Sequence, residues 1–263
     1  MGSVALMTSD AMTGTSTGGS SAPQATPGTP MAGASEVREK LALALDFDDS
    51  VVAMRMASRL REYFAVAKVG MELFSAAGPG IVAELLDSGF KVFVDLKLAD
   101  IPNTTRKAAR VLGALGASYV TVHSSSGAAS VRAAVEGFAE GADRAGLPVG
   151  TVLGVTVLTS EAEAPEELLR QRAGLIVEAG CPGLVCAASD LALVRSIAPG
   201  VRTVVPGIRL AGTPGHDQGR PSTPAQALAD GADLLVVGRT VTEASHPEGA
   251  ARAVVEDALA SAG

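Results

Sequence analysis

Lys91-Val92-Phe93-Val94-Asp95-Leu96-Lys97-Leu98-Ala99-Asp100-Ile101-Pro102-Asn103-Thr104 is a short β-rich run that leaves, through a proline, into a helical pattern. Strand side chains alternate between faces, so Asp95 and Lys97 are expected on one side of the strand's end. Charges this close are costly to bury unless mutually paired, and a reaction centre explains them better than stability does. The same strand-then-helix unit recurs along the chain. Apolar runs of strand length cover 41–46, 65–69, 91–95, 118–123, 151–156, 183–186, 201–205 and 233–237. Amphipathic stretches at 50–64, 80–88, 104–115, 128–144, 165–178, 190–197 and 223–230 separate them, and 250–260 closes the chain. Such alternation predicts a parallel sheet covered on both faces. Eight units point to an α/β fold, a (β/α)8 TIM barrel in one domain. A doubly wound sheet is the alternative, and the lack of Gly-x-Gly-x-x-Gly after the first strand weighs against its dinucleotide-binding form.

Composition narrows the classes of function. A chain of 263 residues, 47% hydrophobic and 19% charged, is long enough to bury a sizeable core. Its apolar runs are too short for a bilayer, which needs about 20 apolar residues. A net charge of -7, no Trp and 3% aromatics leave neither a basic stripe nor a stacking platform for nucleic acid. An anionic ligand must therefore be held locally. Cys181 and Cys186 are too few for a disulfide framework, and with three scattered histidines they form no zinc pattern. Cys186, inside an apolar run, is expected to be a small buried hydrophobe, which fits a reducing cytoplasm. Residues 1–36 are rich in Gly, Ser, Thr, Ala and Pro without periodicity, the composition of a disordered extension, and the barrel is expected over 37–263. The extension lacks the basic start and apolar core of a secretory signal, and Met31 is an alternative start.

In a barrel of this kind, the active site lies at the C-terminal ends of the strands. Polar residues expected there are Asp46, Lys68, Asp95, Lys97, His123, Thr156, Thr159 and Gly238-Arg239. Each has a plainer reading beside it. Asp46 is also placed to cap the next helix, His123 to be a satisfied strand-end imidazole, and Asn103 and Thr104 to be helix caps after Ile101-Pro102. Lys68 interrupts an apolar strand, where an unpaired ammonium is costly, so acidic partners are expected. The Gly238-Arg239-Thr240 turn offers backbone N–H groups and a planar guanidinium fork suited to phosphate. Pro206-Gly207-Ile208-Arg209 opens a loop of about a dozen residues with His216, Asp217, Gln218 and Arg220, read as a lid over a ligand.

At these residues the chain resembles the orotidine 5′-phosphate decarboxylase family, bacterial type. Asp95-Leu96-Lys97-Leu98-Ala99-Asp100-Ile101-Pro102-Asn103-Thr104 is similar to the family signature. Further agreement lies in Leu43-Ala44-Leu45-Asp46, Lys68, Val122-His123, Val155 to Ser160, Pro206 to Arg209, Asp217-Gln218 and Val237-Gly238-Arg239. Ala99 and Val157 depart from the His and Gln that many bacterial relatives carry, and neither belongs to the charged cluster.

The resemblance implies a homodimer of barrels with sites at the interface, in which Lys68, Asp95 and Lys97 of one subunit meet Asp100 of the other. It implies loss of CO2 from C6 of orotidine 5′-phosphate, giving uridine 5′-phosphate in pyrimidine biosynthesis without metal or organic cofactor. Lys97 would protonate C6, and Asp95 would sit beside the substrate carboxylate. Lys68 and Asp46 would bind ribose hydroxyls; Arg239, Gln218, Gly238 and Arg209 the phosphate; Thr159 the base or closing loop. Ile101 and Thr104 would join Asp100 in substrate binding. Two other readings compete. One is a metal-dependent relative of the 3-keto-gulonate 6-phosphate decarboxylase and hexulose phosphate synthase type, which shares Asp-x-Lys-x-x-Asp. In that group an acidic residue ends the second strand, where Lys68 here would repel a cation. The other is a non-catalytic barrel that binds a phosphorylated ligand.

Overall fold

Eight strands close in chain order into a parallel barrel: β1 (Leu41–Ala44), β2 (Val66–Gly70), β3 (Lys91–Leu98), β4 (Tyr119–His123), β5 (Thr151–Val155), β6 (Gly183–Val185), β7 (Arg202–Val205) and β8 (Leu234–Val237). The computed structural model describes residues 33–158, 165–212 and 220–260. β8 pairs back onto β1, so the described sheet has no open edge, and the expected TIM barrel is the observed fold. Its strand side chains divide into two sets, as a period of two requires. Ala42, Ala44, Val66, Phe93, Tyr119, Leu153, Val204, Leu234 and Val236 fill the barrel interior as one cluster. Leu41, Leu43, Ala67, Val69, Val92 and Val94 belong to the larger layer shared with the helices.

The helices are α1 (Ala34–Glu39), α2 (Ser50–Leu60), α3 (Met71–Ala77), α4 (Gly80–Asp87), α5 (Pro102–Ala114), α6 (Gly127–Ala145), α7 (Glu166–Glu178), α8 (Leu191–Ile197), α9 (Pro224–Ala229), α10 (Arg239–Thr242) and α11 (Pro247–Leu259). α1 crosses the boundary read from composition at residue 36. α1, α3 and α10 are short helices outside the amphipathic stretches read from the sequence.

α5 and α6 touch backbone to backbone. A Cβ on Gly137 or Gly141 would collide with the carbonyls of Arg106 and Arg110, and one on Gly113 with that of Phe138. This contact seats the exit of β3, because Ser130 Oγ on α6 donates to the Asp100 carbonyl at 2.8 Å. The two cysteines are free and buried. Burial pushes the thiol of Cys181 up to about 11 and that of Cys186 up to about 12, so both behave as small hydrophobes. No helix among the described residues is long and apolar enough to cross a membrane.

Candidate active site

Stepping by two up the inner face of each strand leads from the apolar layer to charge. Val66 is followed by Lys68 and then Gly70, Phe93 by Asp95, Tyr119 by Thr121, and Val236 by Gly238. Of these, Lys68, Phe93, Asp95, Val236 and Gly238 border a cavity of about 660 Å³ at the C-terminal ends of the strands. Asp46, Lys68, Asp95 and Lys97 line one part of its wall, and Arg209, Gly238 and Arg239 another.

The acidic and basic groups alternate. Lys68 Nζ donates to Asp46 Oδ1 at 2.8 Å and lies 4.0 Å from Asp95 Oδ2. Lys97 Nζ donates to both oxygens of Asp95 at 3.0 and 2.9 Å. Exposure falls inward, from 54% for the Asp46 side chain to 32% for Lys97, 15% for Asp95 and 10% for Lys68. The deepest ammonium is therefore the one flanked by two carboxylates, the arrangement that desolvation demands. Gly70 leaves room beside it: a Cβ there would lie 2.9 Å from Asp46 Oδ1 and 3.1 Å from Lys68 Nζ and would push the ends of these two side chains aside. The helix-cap reading of Asp46 is excluded, because Asp49 caps α2 by accepting from the Val51 and Val52 amides at 2.7 and 3.1 Å.

Asp95 and Lys97 meet as expected, although simple alternation does not bring them together. β3 and β4 pair Val94 with Val120 and Leu98 with Val122, so Asp95, Leu96 and Lys97 lie opposite Thr121 alone. This bulge bends the strand and re-aims Lys97. Lys97 has φ 49°, the only positive value at a non-glycine among the described residues. Left-handed backbone costs an L-residue about 1–2 kcal/mol, so the surroundings must hold it. The strand also continues to Leu98 rather than stopping at Asp95.

At the other side of the mouth, Arg209 is buried, and its Nε has no hydrogen-bond partner among the described residues. Burial and the like charge of Arg239 lower its pKa, while Glu243 opposes that shift. Both arginines line the cavity, and paired planar guanidiniums are the chemistry that suits an anion with several oxygens. Val157 lines the same cavity, which gives one of the departures from the family pattern a place in the pocket wall.

Several expected residues lie elsewhere. Asp100, Ile101 and Thr104 are exposed and do not line this cavity; Asp100 Oδ1 accepts from the Ile101 amide at 2.7 Å. Asn103 and Thr104 do not cap α5. The helix starts at Pro102, and Ile101 precedes it without a side-chain cap. His123 serves the turn after β4, its Nδ1 accepting from the Ser125 amide at 3.1 Å. Thr156 donates to the Val185 carbonyl at 3.0 Å, a strand-end contact. Thr159, His216, Asp217 and Gln218 lie outside the described residues, as does most of the loop read as a lid. Its far end is described: Arg220 pairs with buried Asp190 at 2.5 and 2.6 Å. Among the described residues, no group of three or more His, Cys, Asp or Glu side chains is placed to hold a metal ion.

The sequence profile of the family described as "Orotidine 5'-phosphate decarboxylase / HUMPS family" matches residues 39–254. The chain belongs to this family. Curated family members named orotidine 5'-phosphate decarboxylase include one from Anaeromyxobacter dehalogenans, 44% identical over 227 residues, which span 82% of this chain and 96% of the relative. Another, from Nitratidesulfovibrio vulgaris, is 43% identical over 231 residues, covering 84% and 98% of the two chains. The crystal structure of orotidine 5'-phosphate decarboxylase from Lactobacillus acidophilus superposes with a TM-score of 0.71 at 31% identity, covering 84% of this chain and 99% of that one.

Within this family framework, the sequence reading missed four residues near the charged row or the arginines. Glu72, in the first turn of α3, and Glu243, after α10, line the cavity. Gly70 and Thr121 stand behind the charged row. The signal for Glu72 was its position just past the second strand, at the functional end of a barrel. Thr121 gave none, because threonine is an ordinary strand residue.

Proposed function

We propose that the protein decarboxylates orotidine 5′-phosphate to uridine 5′-phosphate and CO2, a step of pyrimidine biosynthesis in the cytoplasm, and that it needs no metal or organic cofactor. The observation that carries this reading is the unbroken series Asp46, Lys68, Asp95, Lys97 along the cavity wall, with an arginine pair elsewhere on the same mouth. The family profile alone spans both the decarboxylase and its HUMPS relatives. The names of the curated relatives favour the decarboxylase, and so does the donor set, since Lys68 holds its ammonium between two carboxylates where a divalent cation would otherwise be drawn.

In the proposed reaction, the bond from C6 to the carboxylate carbon breaks, CO2 departs, and the electron pair remains on C6. Lys97 stabilises that pair with its fixed charge and then delivers its proton to C6, regaining one from solvent after product leaves. Asp95 holds the Lys97 ammonium beside the reacting carbon, while Lys68 and Asp46 bind ribose hydroxyls. Arg209 and Arg239, with the Gly238 amide and Gln218, hold the phosphate, and Thr159 contacts the base. Binding energy gathered at the phosphate, remote from C6, is then available to order the site. The catalytic unit is the barrel over 37–263, working as a homodimer in which Asp100, with Ile101 and Thr104 beside it, completes the neighbour's site.

The deciding experiment is an assay with orotidine 5′-phosphate after exhaustive EDTA treatment, following pyrimidine absorbance. Full turnover is expected. Activity lost to EDTA and restored by a divalent cation would favour the metal-dependent reading, and no turnover at all the binding-protein reading. For Arg239→Ala, nucleotide affinity should fall by about 10²-fold, the scale of a charge-assisted contact of 1.5–3 kcal/mol. Nucleoside affinity should stay unchanged. Equal losses for both in a binding titration would contradict the phosphate role.

A further inference from the structure

Thr121 is fully buried on β4, directly opposite the β3 bulge. A bulge leaves strand groups without ladder partners, and a buried amide left so is costly. Thr121 Oγ1 accepts from the Lys97 amide at 2.8 Å and donates to Asp95 Oδ1 at 2.9 Å. One hydroxyl thus spans the bulge. Its lone pair takes the backbone of the residue forced to φ 49°, and its proton fixes the carboxylate that grips that residue's ammonium.

We infer that Thr121 is a positioning residue for decarboxylation, setting both ends of Lys97: the main chain directly, and Nζ through Asp95. The inference rests on the decarboxylase reading of the site. Thr121 is absent from the cavity wall, so it acts through these two residues and not on substrate. Valine matches threonine in shape and lacks both hydrogen-bonding functions, which would leave the Lys97 amide unpaired and Asp95 Oδ1 with the Lys97 ammonium alone to fix it. Serine keeps the hydroxyl and loses only the methyl group.

Thr121→Val should lower kcat by about 100-fold, the scale of an ångström-sized misplacement of a reacting group, with KM changed less than about threefold. Thr121→Ser should hold kcat to within about fivefold of wild type. Independently of turnover, the Lys97 amide should exchange slowly with solvent deuterium in the wild type and faster in the valine variant. A valine variant with near-normal kcat overturns the inference. So do equal losses in valine and serine, which would assign the effect to the methyl group, and a parallel rise in KM. If Thr121→Val does not fold, Thr121→Ala compared with Thr121→Ser is judged on the same terms. A wild-type Lys97 amide exchanging at the unstructured rate refutes the bracket without any variant. If the wild type fails to decarboxylate orotidine 5′-phosphate, the functional reading falls, while the exchange measurement still decides whether Thr121 holds Lys97.

Discussion

Lys97→Ala is expected to leave a folded barrel whose decarboxylation is lower by about 10⁴-fold or more, since the side chain is assigned both general-acid and electrostatic roles. Folding should survive because the substitution does not strand Asp95. Its carboxylate keeps the Thr121 hydroxyl at 2.9 Å and the Lys68 ammonium at 4.0 Å. Alanine bears the same backbone strain as lysine at φ 49°, so the cost of that conformation is unchanged. Initial rates on orotidine 5′-phosphate, beside a circular dichroism melt, check both halves of the expectation. A variant retaining more than about a tenth of wild-type kcat would refute the assignment, because a lost general acid alone costs at least 10²-fold.

Mixing two inactive proteins should create activity. If Asp100 serves the neighbouring site, Lys97→Ala and Asp100→Ala each disable both sites of their own homodimer. A hybrid dimer gathers both lesions into one site and leaves the other intact. Random exchange of equal amounts makes half the dimers hybrid, so about a quarter of all sites should recover in a two-fold symmetric assembly. Asp100 is exposed, lies away from its own chain's cavity, and is held by the Ile101 amide and the Ser130 contact to its carbonyl. Those are the properties of a group presented outward. No recovery, despite subunit exchange verified by mass spectrometry, would count against a shared site.

The barrel was legible because its strands are continuous apolar runs buried on both faces, and each predicted run contains the observed strand or overlaps most of it. Among the helices, the stretch read at 128–144 became Gly127–Ala145 and the short ones read at 190–197 and 223–230 became Leu191–Ile197 and Pro224–Ala229, while Met71–Ala77 left no periodic trace. The pairing of Asp95 with Lys97 was read correctly for an incomplete reason. Period-two alternation predicts a shared face, whereas the actual contact passes through a bulge that the sequence does not mark with glycine. Lys68 and Asp46 were legible because charge inside or just after an apolar strand demands a partner. Thr121 was not, because its importance arises from what stands across the sheet, 26 residues away from Asp95 in the chain. The role expected of Asp100 rests on the family resemblance alone, since within one chain it is an exposed carboxylate that accepts from the Ile101 amide.

The mouth of the barrel is divided by sector. Asp46 follows β1, and Lys68, Asp95, Lys97 and Thr121 stand on β2 to β4, whereas Arg209 and Gly238-Arg239 follow β7 and β8. Closure brings β8 beside β1, so the two arcs are neighbours in space but are encoded at opposite ends of the polypeptide. Under the roles proposed above, loops grafted after β7 and β8 would alter which anionic handle is gripped while the first half of the gene keeps the proposed bond-breaking apparatus. For an engineer, that division would make substrate choice and chemistry two separately editable modules of a single ring.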